Sequence, residues 1–452
     1  MWLLEEKQRA SKMQRREKQP RFIQAMTDAF ALPDLRRKIL FTLGILVAFR
    51  FISHVPLPGV DLETLRSFFE QNLLFGMLDL FSGGAMGRFS VVAMGVYPYI
   101  TSSIIMQLLV PVIPRLQAIA QQGEAGQRKI NQITHLLTVP LAALQGYSML
   151  ALLRSQSPPI IGSLDPLTTA TIVISMVAGT IFLVWLGELI TERGVGNGIS
   201  IIIFAGIVAS LPDMVGRGFI AASDPLGLTV FIILGLATLV FVVAFIEAHR
   251  RIPVQYARST FRGGRMYRQS GSTYIPLRVN TAGMIPLIFA IAVMQLPGTI
   301  ATYFMNPAGQ NPNFWNSIYT IFRPDTAAPL GLVYQGLYFA LVIGFTFFYT
   351  MIIFEQMNLA KTLQQQGGFI PGIRPGKATV DYLNKVIRAL TFGGAFFLAF
   401  VAIMPFIARE ITGIVALTLS STALLIAVGV ALDTMKQLEA QLTMRRYEGF
   451  LK

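Results

Sequence analysis

The 452-residue chain contains no cysteine. Disulfides, thiolate metal sites and cysteine nucleophiles are therefore excluded as carriers of function. Histidine is almost as scarce: His54, His135 and His249 are scattered and share no metal-ligand spacing, so no metal centre is expected. Charge is scarce too. Only 13% of the residues are charged and 53% are hydrophobic, whereas a soluble domain has roughly 25% charged residues, so burial away from water within one globule does not account for this balance. What fills the chain instead is a succession of apolar runs of about 20 residues, each long enough to cross a hydrocarbon core of roughly 30 Å. This pattern excludes a soluble enzyme with a single anchor.

Catalytic motifs are also lacking. The run Gly372-Ile373-Arg374-Pro375-Gly376-Lys377 has three residues between its glycines where a phosphate loop needs four, and Ala378 stands where Ser or Thr would meet magnesium, so it reads as a turn. Gly194-x-Gly196-x-Gly198 lacks a preceding strand and fits a helix terminus with close packing. Ser200 has no nearby histidine or lysine to act as base. Glu188, Glu192, Glu355 and Asp433 fall at span ends, where an ion-coupled transporter would keep carboxylates near the midplane. The chain reads as neither an enzyme nor a cofactor protein.

The apolar runs place ten spans near residues 39–57, 90–113, 133–153, 166–189, 197–213, 226–247, 280–303, 330–354, 389–407 and 413–433. The net charge of +14 is distributed unevenly along this frame. With the N-terminus inside, 30 of the 37 Lys and Arg lie on the inner side and six face outward, leaving Arg50 within a span. Positive residues beside spans resist translocation, which puts both termini in the cytoplasm. Arg50 reads as a residue that snorkels to an interface or pairs locally. The basic segment 1–38 has no apolar core before a cleavage site and is not read as a removable signal.

The organisation that follows is an N-terminal segment 1–38, a first half 39–214, a second half 215–434 and a tail 435–452. Each half has five spans; five is odd, so the halves enter the membrane from opposite sides, the arrangement of an inverted repeat. The two largest inner loops are 248–279 and 355–388, carrying seven and five basic residues.

Several blocks occur in order along the chain: Val55-Pro56-Leu57-Pro58-Gly59, Leu78-Asp79-Leu80-Phe81-Ser82-Gly83-Gly84, Met94-Gly95-Val96-Tyr97-Pro98-Tyr99-Ile100, Gly123-Glu124-Ala125-Gly126, Thr191-Glu192-Arg193-Gly194-Val195-Gly196-Asn197-Gly198, Arg250-Arg251-Ile252-Pro253-Val254 and Phe369-Ile370-Pro371-Gly372-Ile373-Arg374-Pro375-Gly376. Together they resemble the SecY family, the central channel subunit of the bacterial Sec protein translocase, from about residue 35 to the C-terminus. Val96 stands where isoleucine is more usual for that family.

The resemblance implies an all-α membrane protein with ten transmembrane helices in two inverted-repeat halves, an hourglass pore, a plug and a lateral gate. It implies a passive conduit for unfolded secretory proteins that also releases transmembrane segments sideways into lipid. The pore ring maps to Val96, Ile100, Ile199, Ile203, Ile288 and Ile426, all β-branched; on the residues alone these are ordinary packing or lipid-facing positions. The plug maps to about 75–89, with Leu78, Asp79, Leu80, Phe81, Ser82, Gly83 and Gly84; on the residues alone this is an outer loop. Gln107 and Asn280 map to the lateral gate, and Arg250, Arg251 and Arg374 to a docking surface for the ribosome or the SecA ATPase, with Pro371 and Pro375 stiffening the turn at Arg374. SecE and SecG subunits, the accessory proteins SecD and SecF, unfolded preprotein and membrane lipid complete the implied partners, and the bacterial inner membrane the implied location. A secondary transporter of small solutes shares inverted repeats and broken helices and is the alternative reading, for which a polar midplane site is the discriminating feature.

Overall fold

The computed structural model describes residues 30, 32–65, 79, 82–155, 160–162, 165–221, 225–262, 265–283, 285–304, 306, 311–323, 326, 329–357, 359–412 and 416–450. Its helices start and stop where local chemistry requires. Helix α1 (Pro33–Ile52) opens on a proline with Asp34 in its first turn, two features that suit the amide end of a helix. Helix α2 (Tyr97–Val112) begins only after Gly95, whose φ of 56° takes the chain out of a run of turns. The expected span over 90–113 is thus helical for its later part alone. Ile113 is extended because it precedes Pro114, and the chain bends by 101° into the short α3 (Pro114–Ala120).

Next come α4 (Glu124–Ser155), α5 (Pro166–Arg193), α6 (Gly198–Ala221) and α7 (Pro225–Glu247). After a β-hairpin follow α8 (Ile285–Phe304), α9 (Phe314–Ile321), α10 (Leu330–Met357) and α11 (Leu359–Gln365). The long α12 (Lys377–Thr412) and α13 (Ala416–Phe450) complete the chain. Among the described residues, Pro166–Arg193, Leu330–Phe354 and Lys377–Met404 are long and apolar enough to cross a membrane, with the bent pair α2 and α3 a fourth if taken as one span. Gly198–Ser210, Gly235–Glu247 and Ile285–Gly298 are shorter apolar helices. Large apolar side chains such as Phe51, Leu136 and Leu167 are about three-quarters exposed, an arrangement suited to hydrocarbon and not to water.

The fold is not purely helical, as the sequence had suggested. The basic segment 248–279 forms an antiparallel pair, β1 (His249–Arg262) and β2 (Arg265–Arg278), in register from His249 opposite Arg278 to Arg262 opposite Arg265. A two-residue strand, β3 (Gly368–Phe369), adds to the other edge of β1, giving the order β2-β1-β3. The reason is a period of two hidden in a charged stretch: Ile252 and Val254 are buried while Arg251 and Pro253 are exposed. The tail segment from residue 435 to 450 continues α13, and polar pairs tie that helix down. Lys436 Nζ lies 2.8 Å from Glu247 at the end of α7, and Arg278 Nη1 lies 3.3 Å from Asp433.

Helices α5 and α6 cross at closest approach through glycine. A Cβ on Gly198 would lie 1.8 Å from the Gly187 carbonyl oxygen, and one on Gly187 would lie 2.8 Å from Ile199 Cγ1. Small residues let two backbones touch and widen the dispersion contact that holds helices together in lipid. Gly198→Ala is expected to destabilise the fold by about 1–3 kcal/mol through overpacking. Gly44→Ala, which meets nothing within 4 Å, serves as the comparison. Thermal unfolding of the two variants in detergent checks this, and equal midpoints would remove the crossing from the account.

Candidate functional site

One aliphatic cluster dominates the interior. Val96, Ile100, Ile203 and Ile426 are buried within it, and Ile199 and Ile288 are partly buried against it. The six come from four separate stretches: the start of α2, the first turns of α6, the start of α8 and the first third of α13. Val96 is the N-cap of α2 and its carbonyl accepts from the Ile100 amide at 3.0 Å, so the two side chains share one face. Ile199 and Ile203 repeat that spacing on α6. Branching at Cβ restricts each side chain to few rotamers, which makes the cluster a stiff, uncharged surface.

The irregular stretch 82–96 joins this cluster through Ala85, Val92 and Val96 and a second one through Met86, Phe89, Ala93 and Met94. Leu78, Leu80 and Phe81 lie outside the described residues, while Asp79, Ser82, Gly83 and Gly84 are placed. Asp79 organises the turn: its Oδ1 accepts from the Gly87 amide at 2.7 Å and from the Ser82 hydroxyl at 3.3 Å. Its backbone carbonyl accepts from Gly84 N and Ser82 Oγ, both at 2.9 Å. Burial pushes the Asp79 carboxyl above the usual carboxylate value, against the downward pull of those hydrogen bonds and of Arg88. Gly83 is buried with φ of 71°, and a Cβ there would lie 2.8 Å from Gly206 Cα on α6 and 3.1 Å from Phe49 Cζ on α1. The stretch therefore lies directly on the helix that carries Ile199 and Ile203.

Arg50 is not deep in a span. Helix α1 ends at Ile52, so Arg50 occupies its last turn and donates from Nη1 to the Gly83 carbonyl at 2.7 Å. No sequence signal linked the two residues, which are 33 positions apart.

Gln107 and Asn280 are not bonded to one another. Gln107 Nε2 donates to Ser103 Oγ at 3.2 Å within α2, and Asn280 Nδ2 donates to the Gly283 carbonyl at 2.9 Å. Asn280 stands before α8, in a turn made possible by Gly283 with φ of 65°. The side-chain oxygens of both amides are buried with no partner among the described residues. They line different spaces: Gln107 a cavity of about 650 Å³ between α2, α3, α4 and Ile352, Asn280 one of about 160 Å³ with Arg278, Gly283 and Asp433. A bond between α2 and α8 comes from a residue the sequence did not single out for a role. Tyr97 Oη donates to the Ala292 carbonyl at 3.3 Å, across 195 positions.

The basic residues Arg250, Arg251 and Arg374 are all exposed. Arg251 sits 4.9 Å from the ring centroid of Tyr274 on the neighbouring strand, a cation over an aromatic face. The two loops that carry these arginines form one unit. Gln255 and Tyr256 of β1 pair with Phe369 and Gly368 of β3, above a shared core of Ile252, Val254, Leu277, Leu363, Ile370, Leu383, Val386 and Ile387.

Removing the Asp79 carboxylate leaves the Gly87 amide without its acceptor, at a cost of about 1–3 kcal/mol, while the Ser82 hydroxyl keeps the Asp79 backbone carbonyl. Amide hydrogen exchange at Gly87 is expected to speed up by roughly tenfold or more in Asp79→Ala and much less in Asp79→Asn, which keeps a side-chain carbonyl. Equal protection in wild type and the alanine variant would discard Asp79 as the organiser of this turn.

The SecY family model matches residues 90–435. The protein translocase subunit SecY of Streptomyces scabiei is 42% identical over 445 residues, covering 95% of this chain and 99% of that protein. Among solved structures, a SecY channel whose plug domain is described as stabilising the closed state and maintaining a membrane seal superposes with a TM-score of 0.62 at 19% identity, covering 90% of this chain and 92% of its own. Sec61 in the canine ribosome-channel complex from the endoplasmic reticulum gives a TM-score of 0.62 at 18% identity over the same shares. By sequence over nearly its whole length, and by fold, the chain belongs to the SecY family of protein-conducting translocase subunits.

Proposed function

We propose that the aliphatic cluster is the closed waist of a pore running between two halves of five spans each, ten transmembrane helices in all, through which unfolded preprotein passes. The observation that carries this is the convergence of Val96, Ile100, Ile199, Ile203, Ile288 and Ile426, from four stretches of chain, on one apolar cluster. Stiff uncharged side chains close around an extended polypeptide without binding its varied side chains, and an apolar constriction resists wetting by ions. The segment from Asp79 through Ser82, Gly83 and Gly84, within 75–89, is the plug that backs this seal. Irregular backbone at membrane depth is tolerated only inside protein or beside a watery cavity, and the described part of this segment has both a protein roof and internal hydrogen bonds.

Lateral release into lipid runs between α2 and α8. The gate is held by apolar packing and by the bond from Tyr97 to the Ala292 carbonyl, with Gln107 and Asn280 flanking it as amides whose oxygens take new partners when the helices part. A signal with about ten leucine-like residues gains roughly 3–6 kcal/mol on entering hydrocarbon, and one neutral hydrogen bond contributes only about 0.5–1.5 kcal/mol. Hydrophobicity of the client is then enough to open the gate.

The sheet that joins 248–279 to 355–388 presents Arg250, Arg251 and Arg374 to a partner that supplies the work of translocation, the SecA ATPase or a ribosome. Ribosomal RNA would be met through phosphate contacts that weaken with salt. SecE and SecG complete the channel, SecD and SecF assist it, and it lies in the bacterial inner membrane with both termini cytoplasmic, the side that holds 30 of the 37 basic residues.

The direct test is conductance. Replacing Ile199 and Ile203 together by Ser is expected to raise the resting ion conductance of the reconstituted complex in planar bilayers and to relax selection among signal sequences; a bilayer as tight as wild type would end the waist assignment. Tyr97→Phe is expected to increase export of a reporter with a shortened apolar signal several-fold, as loss of about 1 kcal/mol of closure implies, and no gain in export would relieve Tyr97 of a gate role. Arg374→Glu is expected to slow SecA-driven import of preprotein into vesicles at unchanged channel abundance, and import at the parental rate would count against the docking surface.

A further inference from the structure

We propose that Arg50 is a positioning residue that clamps the plug shut, its guanidinium on the last turn of α1 holding the Gly83 carbonyl and so pressing the plug against α6. The proposal deepens the reading of residues 75–89 as a plug and rests on it.

Three independent features of the geometry converge on Gly83. The first is the bond itself. Arg50 Nη1 lies 2.7 Å from the Gly83 oxygen, in the range of charge-assisted hydrogen bonds, which are roughly twice as strong as neutral ones. The second is the fixing of the donor. The Arg50 carbonyl accepts from the Ser53 hydroxyl at 2.7 Å and lies 2.8 Å from His54 Nδ1, so side chains tie off the end of α1 and hold the residue that bears the guanidinium. The carbonyl end of a helix also favours a cation, which suits the Arg50 guanidinium in this half-buried place. The third is the fit of the acceptor. Gly83 has a positive φ and no side chain, and that lets it sit against Gly206 and the Phe49 ring while turning its carbonyl toward α1. Phe49 and Arg50 are neighbours on α1, so one helix supplies both the apolar wall and the polar hook. The turn on the other side of Gly83 is bound internally by Asp79, which makes it move as a unit. A clamp on one carbonyl therefore holds the whole turn.

The absence of cysteine allows a clean test. Ser82→Cys places a single buried thiol in the plug, and Ser148→Cys places one in the last third of α4 as a reference. Each is combined with Arg50→Met and with Arg50→Lys in the full channel complex in membrane vesicles, and labelling by an impermeant maleimide from the outer side is timed. Loss of the clamp is expected to speed labelling at position 82 by at least about tenfold, the equivalent of about 1.4 kcal/mol, and to leave position 148 unchanged. Arg50→Lys, which keeps the charge and one donor, is expected to fall between. Parental labelling at position 82 in Arg50→Met overturns the proposal, and so does equal acceleration at both positions, which marks a general loosening. If Arg50→Met does not accumulate, Arg50→Lys carries the test, and parental labelling there overturns the clamp. Resting conductance separates the clamp from the plug itself: faster labelling with an unchanged seal upholds the clamp and refutes the sealing role of the segment.

Discussion

The structure depends on one constraint, that a backbone amide in hydrocarbon has no water to turn to. Helices satisfy it by themselves; the stretch 82–96 cannot, and everything around it supplies what it lacks. Leu57 N donates to the Phe89 carbonyl and Val91 N to the Val55 carbonyl, so the chain just after α1 pairs with it on one side. Ser82 Oγ accepts from Met86 N and Ser90 Oγ from Val92 N, so side chains stand in for missing backbone partners. Ser82 and Ser90 are polar residues in an apolar setting because they complete this accounting. The aliphatic cluster and the irregular stretch are continuous with one another: Ala85, Val92 and Val96 of the stretch are buried members of the cluster.

Glycine makes the arrangement possible at two scales. At Gly187 and Gly198 it brings two helices to backbone contact, which gives dispersion forces their largest return where the hydrophobic effect between helices is absent. At Gly83 it brings an irregular turn to within contact of Gly206 on α6. The helix that carries Ile199 and Ile203 is therefore gripped from two sides by neighbours that tolerate no extra carbon. Such packing is rigid until a neighbour moves as a body, the behaviour expected of a gate.

Much of this was legible in the sequence, and the gaps have physical causes. Hydrophobic runs and basic asymmetry report on the solvent around a helix, so the broad helical frame could be read directly. The family resemblance singled out Val96, Ile100, Ile199, Ile203, Ile288 and Ile426, which composition alone would have left as anonymous aliphatics, and all six lie in or against one cluster. The hairpin was missed because Ile252 and Val254 alternate within a stretch dominated by arginine, whose charge reads as a solvated loop. The contact between Arg50 and Gly83, and that between Tyr97 and the Ala292 carbonyl, end on backbone oxygens. A carbonyl carries no residue identity, so no pattern of side chains could announce either one. The Gln107 and Asn280 pair illustrates the converse: two amides in apolar surroundings invite a bond, yet each found a nearer acceptor, Ser103 Oγ and the Gly283 carbonyl.

The sheet order β2-β1-β3 has a mechanical meaning. Only two residues of β3 join it, but they stitch the turn at Arg374 to the same strand whose other edge ends at Arg278, and Arg278 in turn reaches Asp433 on α13. A push delivered at the tip is therefore felt as torque at the root, close to where α8 begins. In that sense the sheet is a tiller, and whatever grasps it steers the helices it is tied to.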